Sequence, residues 1–162
     1  MFKIKLSILL LTSLFAFSCT HNQTNQSNQK YSLAYIGGEY DGLLLKNKMI
    51  SNLKSLNLFD QNSPLEIKAN ISHSTNLYIT NIDNTSDREK ISTKLSVQII
   101  DKNFDCKIFE EEIDISQFYI YASSDKFLSN KSESKKIKKD NTESAVRQFI
   151  NKLKKTKNSC NE

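Results

Sequence analysis

One stretch of the chain alternates between apolar and polar residues, and this pattern limits the possible folds more than any other feature. The alternating residues are Ile91, Thr93, Leu95, Val97 and Ile99, separated by Ser92, Lys94, Ser96 and Gln98. Such alternation directs one face of an extended strand toward a core and the other toward solvent. The pattern therefore predicts a sheet with antiparallel pairing and only one covered face.

Other segments predict the remaining strands. Residues 65–72 alternate in the same way, and residues 77–82 continue that strand beyond an irregular break at residues 73–76. Residues 104–115 predict a returning strand with a bulge or a bend near Glu110, where the alternation changes phase. A short apolar and aromatic stretch over residues 31–36, followed by two glycines, predicts the first strand.

Two segments carry buried-type residues at helical spacing. The first follows Asp41, a candidate N-cap, and its stripe consists of Leu45, Met49, Leu53 and Leu56, with Ile50 beside it. The second is predicted over residues 134–157, after a polar loop over 123–134, and its stripe consists of Ile137, Asn141, Ala145, Phe149 and Leu153, with Val146 and Ile150. Two one-sided helices and a half-buried sheet predict an α+β fold. We expect a two-layer sandwich, in which an antiparallel or mixed sheet of about four strands carries both helices on one face.

The first nineteen residues indicate the compartment. Lys3 and Lys5 precede an uncharged, mostly apolar run over residues 6–17, which is typical of a secretory signal. That run is too short to span a bilayer, which requires about 20 residues. Its end, Ala16-Phe17-Ser18-Cys19, resembles the lipobox of bacterial lipoproteins, in which the Cys thiol is acylated with diacylglycerol. The alternative is an ordinary signal peptide, with Cys19 an incidental thiol.

The chain of 162 residues has room for one domain after this signal. We predict a lipoprotein signal peptide over 1–18, a lipidated Cys and flexible polar tether over 19–30, a domain over 31–157 and a disordered tail over 158–162. An oxidising compartment permits a disulfide between the two remaining cysteines, Cys106 and Cys160. Their positions, one in a predicted strand and one in the predicted tail, favour free thiols and leave the pairing open.

Few residues could support catalysis. His73 could act as a base beside Ser74, but adjacent residues of an extended chain point to opposite faces, so a surface imidazole is the simpler interpretation. In the run Glu110-Glu111-Glu112 only the outer two carboxylates share a face, which favours solvated charges over a metal or acid–base site. The sequence contains no Gly-rich phosphate loop, no metal-ligand spacing of His and Cys, and no nucleophile elbow. We therefore expect a protein that is not an enzyme and has no cofactor or metal.

The charge distribution indicates where a partner could bind. Lys and Arg number 23 against 18 Asp and Glu, and a net charge of +5 is too small to indicate a nucleic-acid partner. Four lysines surround Ile137 near the predicted start of the second helix, namely Lys135, Lys136, Lys138 and Lys139. Cations are unfavourable at a helix N-terminus, so this cluster indicates an anionic partner, with a solvated lysine face as the alternative.

Several segments follow one another in a characteristic order along the predicted mature chain. They begin with the helix segment LLLKNKMISNLKSLNLFD, the strand PLEIKANI, and the long hairpin NIDNTSDREKISTKLSVQIIDKNFDCKIFEEEI. The aromatic FYIYASS stretch, a polar loop and the terminal helix KDNTESAVRQFINKL complete the order. Over most of residues 19–157 this order resembles the strand–helix–hairpin–helix plan of the LptE family of lipopolysaccharide-assembly lipoproteins.

The resemblance implies a function without catalysis. Members of the family form a plug inside the β-barrel LptD, help it to assemble, and contact lipopolysaccharide on its way to the outer leaflet. The positions nearest to the family's basic contact residues are Arg88 and Lys131, and Lys135 and Lys136 lie close to the second of these. Thr20, which is not the Asp of inner-membrane lipoproteins, implies the periplasmic side of the outer membrane. The alternatives are an unrelated outer-membrane lipoprotein that binds a periplasmic protein or the cell wall, and a small periplasmic hydrolase.

Overall fold

A mixed four-stranded sheet carries two helices on one of its faces. The computed structural model describes residues 29–79, 86–120, 127–155 and 160. Its elements in chain order are β1 (Ser32–Gly37), α1 (Glu39–Ser55), β2 (Leu65–Ile79), β3 (Ser86–Asp101), β4 (Cys106–Ile120) and α2 (Phe127–Leu153). The strand order is β1-β2-β3-β4, with β1 parallel to β2 and the other pairs antiparallel. This confirms the predicted α+β fold class.

The core lies between the helices and the inner face of the sheet. The inner face contributes Leu65, Ile67, Ala69 and Ile71 of β2, and Ile91, Leu95, Val97 and Ile99 of β3. The helices contribute Leu45, Met49 and Leu53 of α1, and Ala145, Val146, Phe149, Ile150 and Leu153 of α2. The two predicted helical stripes and the alternation in β3 therefore point into one core, because every second strand residue and every third or fourth helix residue faces the same side.

Helix α1 begins three residues earlier than its sequence indicates. Gly38 takes the N-cap position with φ at 111°, and no side chain caps the helix by a hydrogen bond. A Cβ at Gly38 would lie 2.5 Å from the carbonyl oxygen of Ile71, so only glycine lets the start of α1 lie this close to β2. The prediction that Asp41 caps the helix is wrong, because Asp41 lies inside the first turn.

The long strands pair along most of their length. β2 runs without interruption through residues 73–76, because each of these residues pairs in register with β3, as in His73 with Thr93. The predicted break there is therefore wrong. Ile99 pairs with Phe109 and Ile100 with Lys107, which leaves Ile108 as an extra residue in β4. The predicted bulge is present, two residues nearer to the β3–β4 turn than Glu110.

Helix α2 is longer at its start than its pattern indicates. It begins at Phe127, so the loop predicted over 123–134 is wrong for residues 127–134. The inward position in this early part of the helix is occupied by Asn130, which is buried. Because this inward residue is polar, the positions of the apolar residues alone do not show the helical period in this segment.

A disulfide connects the C-terminal segment to the start of β4. Cys106 and Cys160 are bonded, with their Cα atoms 6.2 Å apart and a separation of 54 positions in the sequence. The expectation of two free thiols is wrong, because α2 ends close enough to β4 for the chain to return to it. At the same end, Lys152 of α2 forms an ion pair with Glu111 of β4.

Several predictions concern residues that lie outside the described part of the chain. The signal peptide over 1–18, the lipidation site Cys19 and the tether over 21–28 are among them, and Cys160 alone is described in the predicted tail. Within the described residues, no helix has both the length and the apolar character needed to cross a bilayer.

Candidate functional site

A basic groove lies between the first turns of α1 and the first half of α2. It has a volume of about 800 Å³. Its lining consists of Asp41 and Leu44 from α1 and, from α2, Lys131, Ser132, Ser134, Lys135, Lys136, Lys138 and Lys139. The lysines line one side because residues 131, 135 and 138, like 132, 136 and 139, follow the i, i+4, i+7 spacing of a helix face. We call this feature the basic groove.

The basic groove is strongly cationic. Five lysines face one lining carboxylate, Asp41, and Lys136 has a further exposed ion pair with Glu133 at 3.8 Å. Each ammonium group offers three donors and a point charge to an oxyanion, and Leu44 adds an apolar surface beside them. This arrangement can bind a phosphorylated or otherwise anionic group.

The groove lysines do not lie at a helix N-terminus. Because α2 begins at Phe127, Lys135 and Lys136 are more than two turns inside the helix. The field of the helix dipole acts mainly within the first turn, so it does not oppose these charges. Helical spacing places the groove lysines on one side of α2, and the prediction that Lys135 and Lys136 lie near the helix start is wrong.

A buried polar cluster lies behind Asp41. His73 of β2 points to the inner face of the sheet with only 3 % of its side chain exposed, so the predicted surface imidazole is wrong. Its Nδ1 lies 2.7 Å from Oγ1 of Thr93, and its Nε2 lies 3.6 Å from Oδ2 of Asp41. Ser74 is exposed on the other face, so the two residues are separated as expected. His73 therefore connects the groove wall to the core.

A second polar side chain is fully buried in the same layer. Asn141 of α2 donates a hydrogen bond from Nδ2 to the carbonyl oxygen of Ile91, 3.3 Å away. Its Oδ1 and the Nε2 of His73 are buried without a hydrogen-bond partner. Burial lowers the pKa of His73, the nearby Asp41 carboxylate raises it, and Lys138 lowers it. Burying polar atoms without hydrogen-bond partners lowers the stability of the fold. A change of charge in the layer between α2 and β3 should therefore have a large effect.

The outer face of the sheet, opposite the helices, ends in an exposed aromatic and cationic surface. Tyr78, Arg88 and Ile120 are neighbours across three strands, and Lys90 pairs with Phe118 in an adjacent row. The rings of Tyr78 and Phe118 meet edge to face at 5.5 Å, and the Lys90 ammonium lies 5.8 Å from the Phe118 ring centroid. We call these five residues the tip patch. Phe118 and Ile120 are 57 % and 79 % exposed, which is unusual for large apolar side chains that have a core available.

The structure brings together three of the four residues expected to contact lipopolysaccharide. Lys131, Lys135 and Lys136 line the basic groove. Arg88 does not join them, because it lines a separate hollow of about 230 Å³ with Phe118, Tyr119 and Ile120. Arg88 and Lys131 are far apart in the chain and were grouped by resemblance alone. Their side chains belong to two distinct surfaces.

Asp41, Leu44, Lys138 and Lys139 also line the groove, although they were not among the expected contact residues. The helical spacing from Lys131 could have added Lys138, and the Lys138–Lys139 pair was visible as part of the basic cluster. Asp41 and Leu44 carry no such signal, because only the packing of α1 beside α2 brings them to this place.

The acidic run in β4 has a simple role in the structure. Glu110 and Glu112 lie on the outer face, where they pair with Lys107 and Lys94. Their pKa values are lowered because each carboxylate accepts a hydrogen bond from its lysine. Glu111 faces the helices. No group of three or more His, Cys, Asp or Glu side chains suited to a metal ion occurs among the residues that the structure describes.

Comparison with known proteins gives matches in structure only. No protein-family model matches the chain, and no curated protein sequence matches it. The crystal structure of rare lipoprotein B from Shewanella oneidensis matches with a TM-score of 0.61 and 11% identity, covering 77% of this chain and 93% of that chain.

Two further lipoproteins match in the same way. The solution structure of an uncharacterized lipoprotein B from Nitrosomonas europaea has a TM-score of 0.61 and 11% identity, covering 78% of this chain and 82% of that chain. The crystal structure of a minor lipoprotein from Acinetobacter baumannii has a TM-score of 0.58 and 14% identity, covering 79% and 92%. At such low identity these matches show a shared fold. The expected resemblance to the LptE family, which includes rare lipoprotein B, is confirmed at the level of the fold.

Proposed function

We propose that the protein is an outer-membrane lipoprotein that forms a plug-like complex with an LptD-like β-barrel and supports the assembly of lipopolysaccharide at the cell surface. The observation that carries the proposal is the fold shared with rare lipoprotein B from Shewanella oneidensis, which extends over 93% of that chain. The protein acts through binding and not through catalysis.

The outer face of the sheet supports the role of a plug. Its central part is polar and is occupied by pairs such as Lys94 with Glu112 and Gln98 with Glu110. The interior of an outer-membrane barrel is also polar, so such a face can lie against the barrel wall without burying unpaired apolar surface. The tip patch adds an apolar end to this polar face.

Acylation of Cys19 would hold the domain at the membrane. Each buried CH₂ of an acyl chain contributes about 0.8 kcal/mol, so several chains give a stable anchor. The polar residues that follow would span about 17–20 Å as a flexible coil, which allows the domain to reach a barrel in the same membrane. Labelled palmitate should enter the wild-type protein and not Cys19→Ser. An unlabelled wild type would contradict the anchor.

The basic groove is the proposed contact for the phosphate groups of lipopolysaccharide. A pair of substitutions, Lys131→Gln with Lys135→Gln, removes two charges from the groove. A control pair, Lys54→Gln with Lys154→Gln, removes two exposed charges away from the groove, one on α1 and one just after the end of α2. We expect the groove pair to weaken binding of purified lipopolysaccharide about tenfold and the control pair to change it less than about twofold. If both pairs weaken lipopolysaccharide binding equally, the attraction is a nonspecific effect of charge and the groove is not the contact site.

The barrel partnership has a direct test. The protein is crosslinked in intact cells and purified under denaturing conditions, and the attached proteins are identified. Recovery of a large outer-membrane β-barrel, and loss of surface lipopolysaccharide when the protein is depleted, are the expected results. Absence of any barrel from the crosslinked material would contradict the proposal.

The tip patch favours a second candidate function, that of a periplasmic protein-binding module unrelated to lipopolysaccharide. Exposed aromatic residues beside Arg are typical of the centre of a protein interface. Under this alternative, Phe118→Ser would abolish recovery of the crosslinked partner, no barrel would be found, and the groove pair would have no effect. Lipopolysaccharide binding that depends on the groove would exclude the alternative.

A further inference from the structure

A single buried ring connects the basic groove to the core of the protein. Asp41, which lines the groove, has its Oδ2 atom 3.6 Å from Nε2 of His73. That nitrogen is buried without a hydrogen-bond partner, and only 3 % of the His73 side chain is exposed. The opposite nitrogen of the ring lies 2.7 Å from the hydroxyl oxygen of Thr93. A change of charge on this ring would therefore be felt directly by the groove wall.

The charged groups around His73 come from both helices. From α1, the Asp41 carboxylate favours the protonated ring, and from α2, the Lys138 ammonium opposes it. From the sheet, β3 contributes the uncharged hydroxyl of Thr93, and Glu89 of β3 interacts electrostatically with Lys138. Asp41 and Lys138 both line the groove, so the two charges that act on the ring are also exposed to a ligand there.

We propose that proton uptake by His73 and the binding of a sulfate- or phosphate-type anion in the basic groove are coupled, so that each strengthens the other. The proposal rests on the proposed anion-binding role of the groove. A proton from water adds to the ring nitrogen that lacks one. The imidazolium then donates a hydrogen bond to Thr93 and lies 3.6 Å from the Asp41 carboxylate, whose negative charge it offsets. The repulsion between Asp41 and an anion in the groove is thereby weakened.

The same coupling acts in the opposite direction. An anion beside Lys138 offsets the repulsion that this ammonium exerts on the protonated ring, and proton uptake becomes easier. Thermodynamic linkage requires both effects to have the same size. The groove would then bind its anion more tightly as the pH falls.

The titration of His73 tests the coupling directly. The chain contains two histidines, so the imidazole signals of full-length protein in detergent are few and His73→Gln identifies the relevant one. The titration is followed by NMR in sodium sulfate and in sodium chloride at equal ionic strength. Sulfate keeps its charge between about pH 5 and 8, so only the protein titrates in this range.

We expect the pKa of His73 to be about half a unit higher in sulfate than in chloride, which corresponds to about threefold tighter sulfate binding when the ring is charged. Lys138→Gln should remove the difference. Lys154→Gln removes one positive charge just beyond the C-terminal end of α2 and should preserve the difference. Equal pKa values of His73 in the two salts, or an equal shift of His21, would overturn the coupling.

The outcome is separable from that of the proposed function. If sulfate does not change the pKa of His73 while the Lys131 and Lys135 substitutions still weaken lipopolysaccharide binding, the coupling is wrong and the groove remains a contact site. If those substitutions have no effect while sulfate still shifts His73, the groove binds anions of another kind. Loss of both effects would overturn both proposals.

Discussion

The disulfide between Cys106 and Cys160 should contribute much of the stability of the domain. It joins positions 54 residues apart, with a Cα separation of 6.2 Å that lies within the usual range. Closing a loop of this length lowers the entropy of the unfolded chain by about 14 cal/mol/K, which corresponds to about 4 kcal/mol at room temperature. Since domains of this kind have stabilities of about 5–15 kcal/mol, the loss would be large.

The perturbation is the double substitution of Cys106 and Cys160 by Ser, which keeps the side chains small and polar. Urea unfolding followed by circular dichroism should show the midpoint lowered by about 2 M. Thermal unfolding should show a Tm about 15 °C lower than that of the oxidised wild type. A reductant should bring the wild type close to the variant and should leave the variant unchanged, which controls for the serine substitutions themselves.

Two results would refute this reasoning. Reaction of both thiols of the native protein with an alkylating reagent, seen by mass spectrometry without reductant, would show that the bond is absent. A loss of less than about 1 kcal/mol in the double variant would show that the bond does not restrict the unfolded chain as the loop length requires.

Three further predictions follow from single positions. Because burial lowers the pKa of His73 below its ordinary value of 6.5, the unfolded chain takes up this proton more readily than the folded one. The contribution of His73 to the free energy of unfolding should therefore be at its full value above pH 6.5 and should be lost as the pH drops from there through the depressed pKa. In urea titrations, His73→Gln should make this decline less steep. Phe149 is fully buried with its ring edge-on to Phe109, and Phe149→Ala should cost about 3–5 kcal/mol by urea unfolding, whereas Phe149→Leu should cost much less. Gly38→Ala places a Cβ 2.5 Å from the Ile71 carbonyl oxygen at a positive φ, and we expect a loss of about 1–3 kcal/mol; an unchanged midpoint would contradict the close approach.

The strand and helix predictions succeeded where side chains of one kind recur at the period of the backbone. Ile91, Leu95 and Ile99 predicted β3 and its buried face because alternation in a strand is independent of its partners. The strand and helix predictions failed where contacts with a neighbouring element determine the conformation. The segment around His73 appears irregular in the sequence, but pairing with β3 holds it in one continuous strand. The early turns of α2 were missed because Asn130 occupies an inward position.

The candidate site was predicted only in part. Lys131, Lys135 and Lys136 recur at helical spacing, so their common side of α2 follows from the chain itself. The place of Asp41 in the same groove depends on how α1 packs beside α2. Arg88 was grouped with these lysines by the family resemblance alone, and it lies on the outer face as part of the tip patch. The pattern of residues along the chain does not determine which face of the sheet packs against which helix.

The sequence by itself determined which residues are buried in the core. It therefore also determined the α+β class, with two helices on one face of the sheet. Periodicity is a local property, since the backbone repeats itself every few residues whatever lies nearby. Only the tertiary structure decided that His73 is buried, that Asp41 stands between it and the lysines, and that Cys106 meets Cys160. Each of these depends on distances between segments far apart in the chain, and those distances follow from packing the whole core at once.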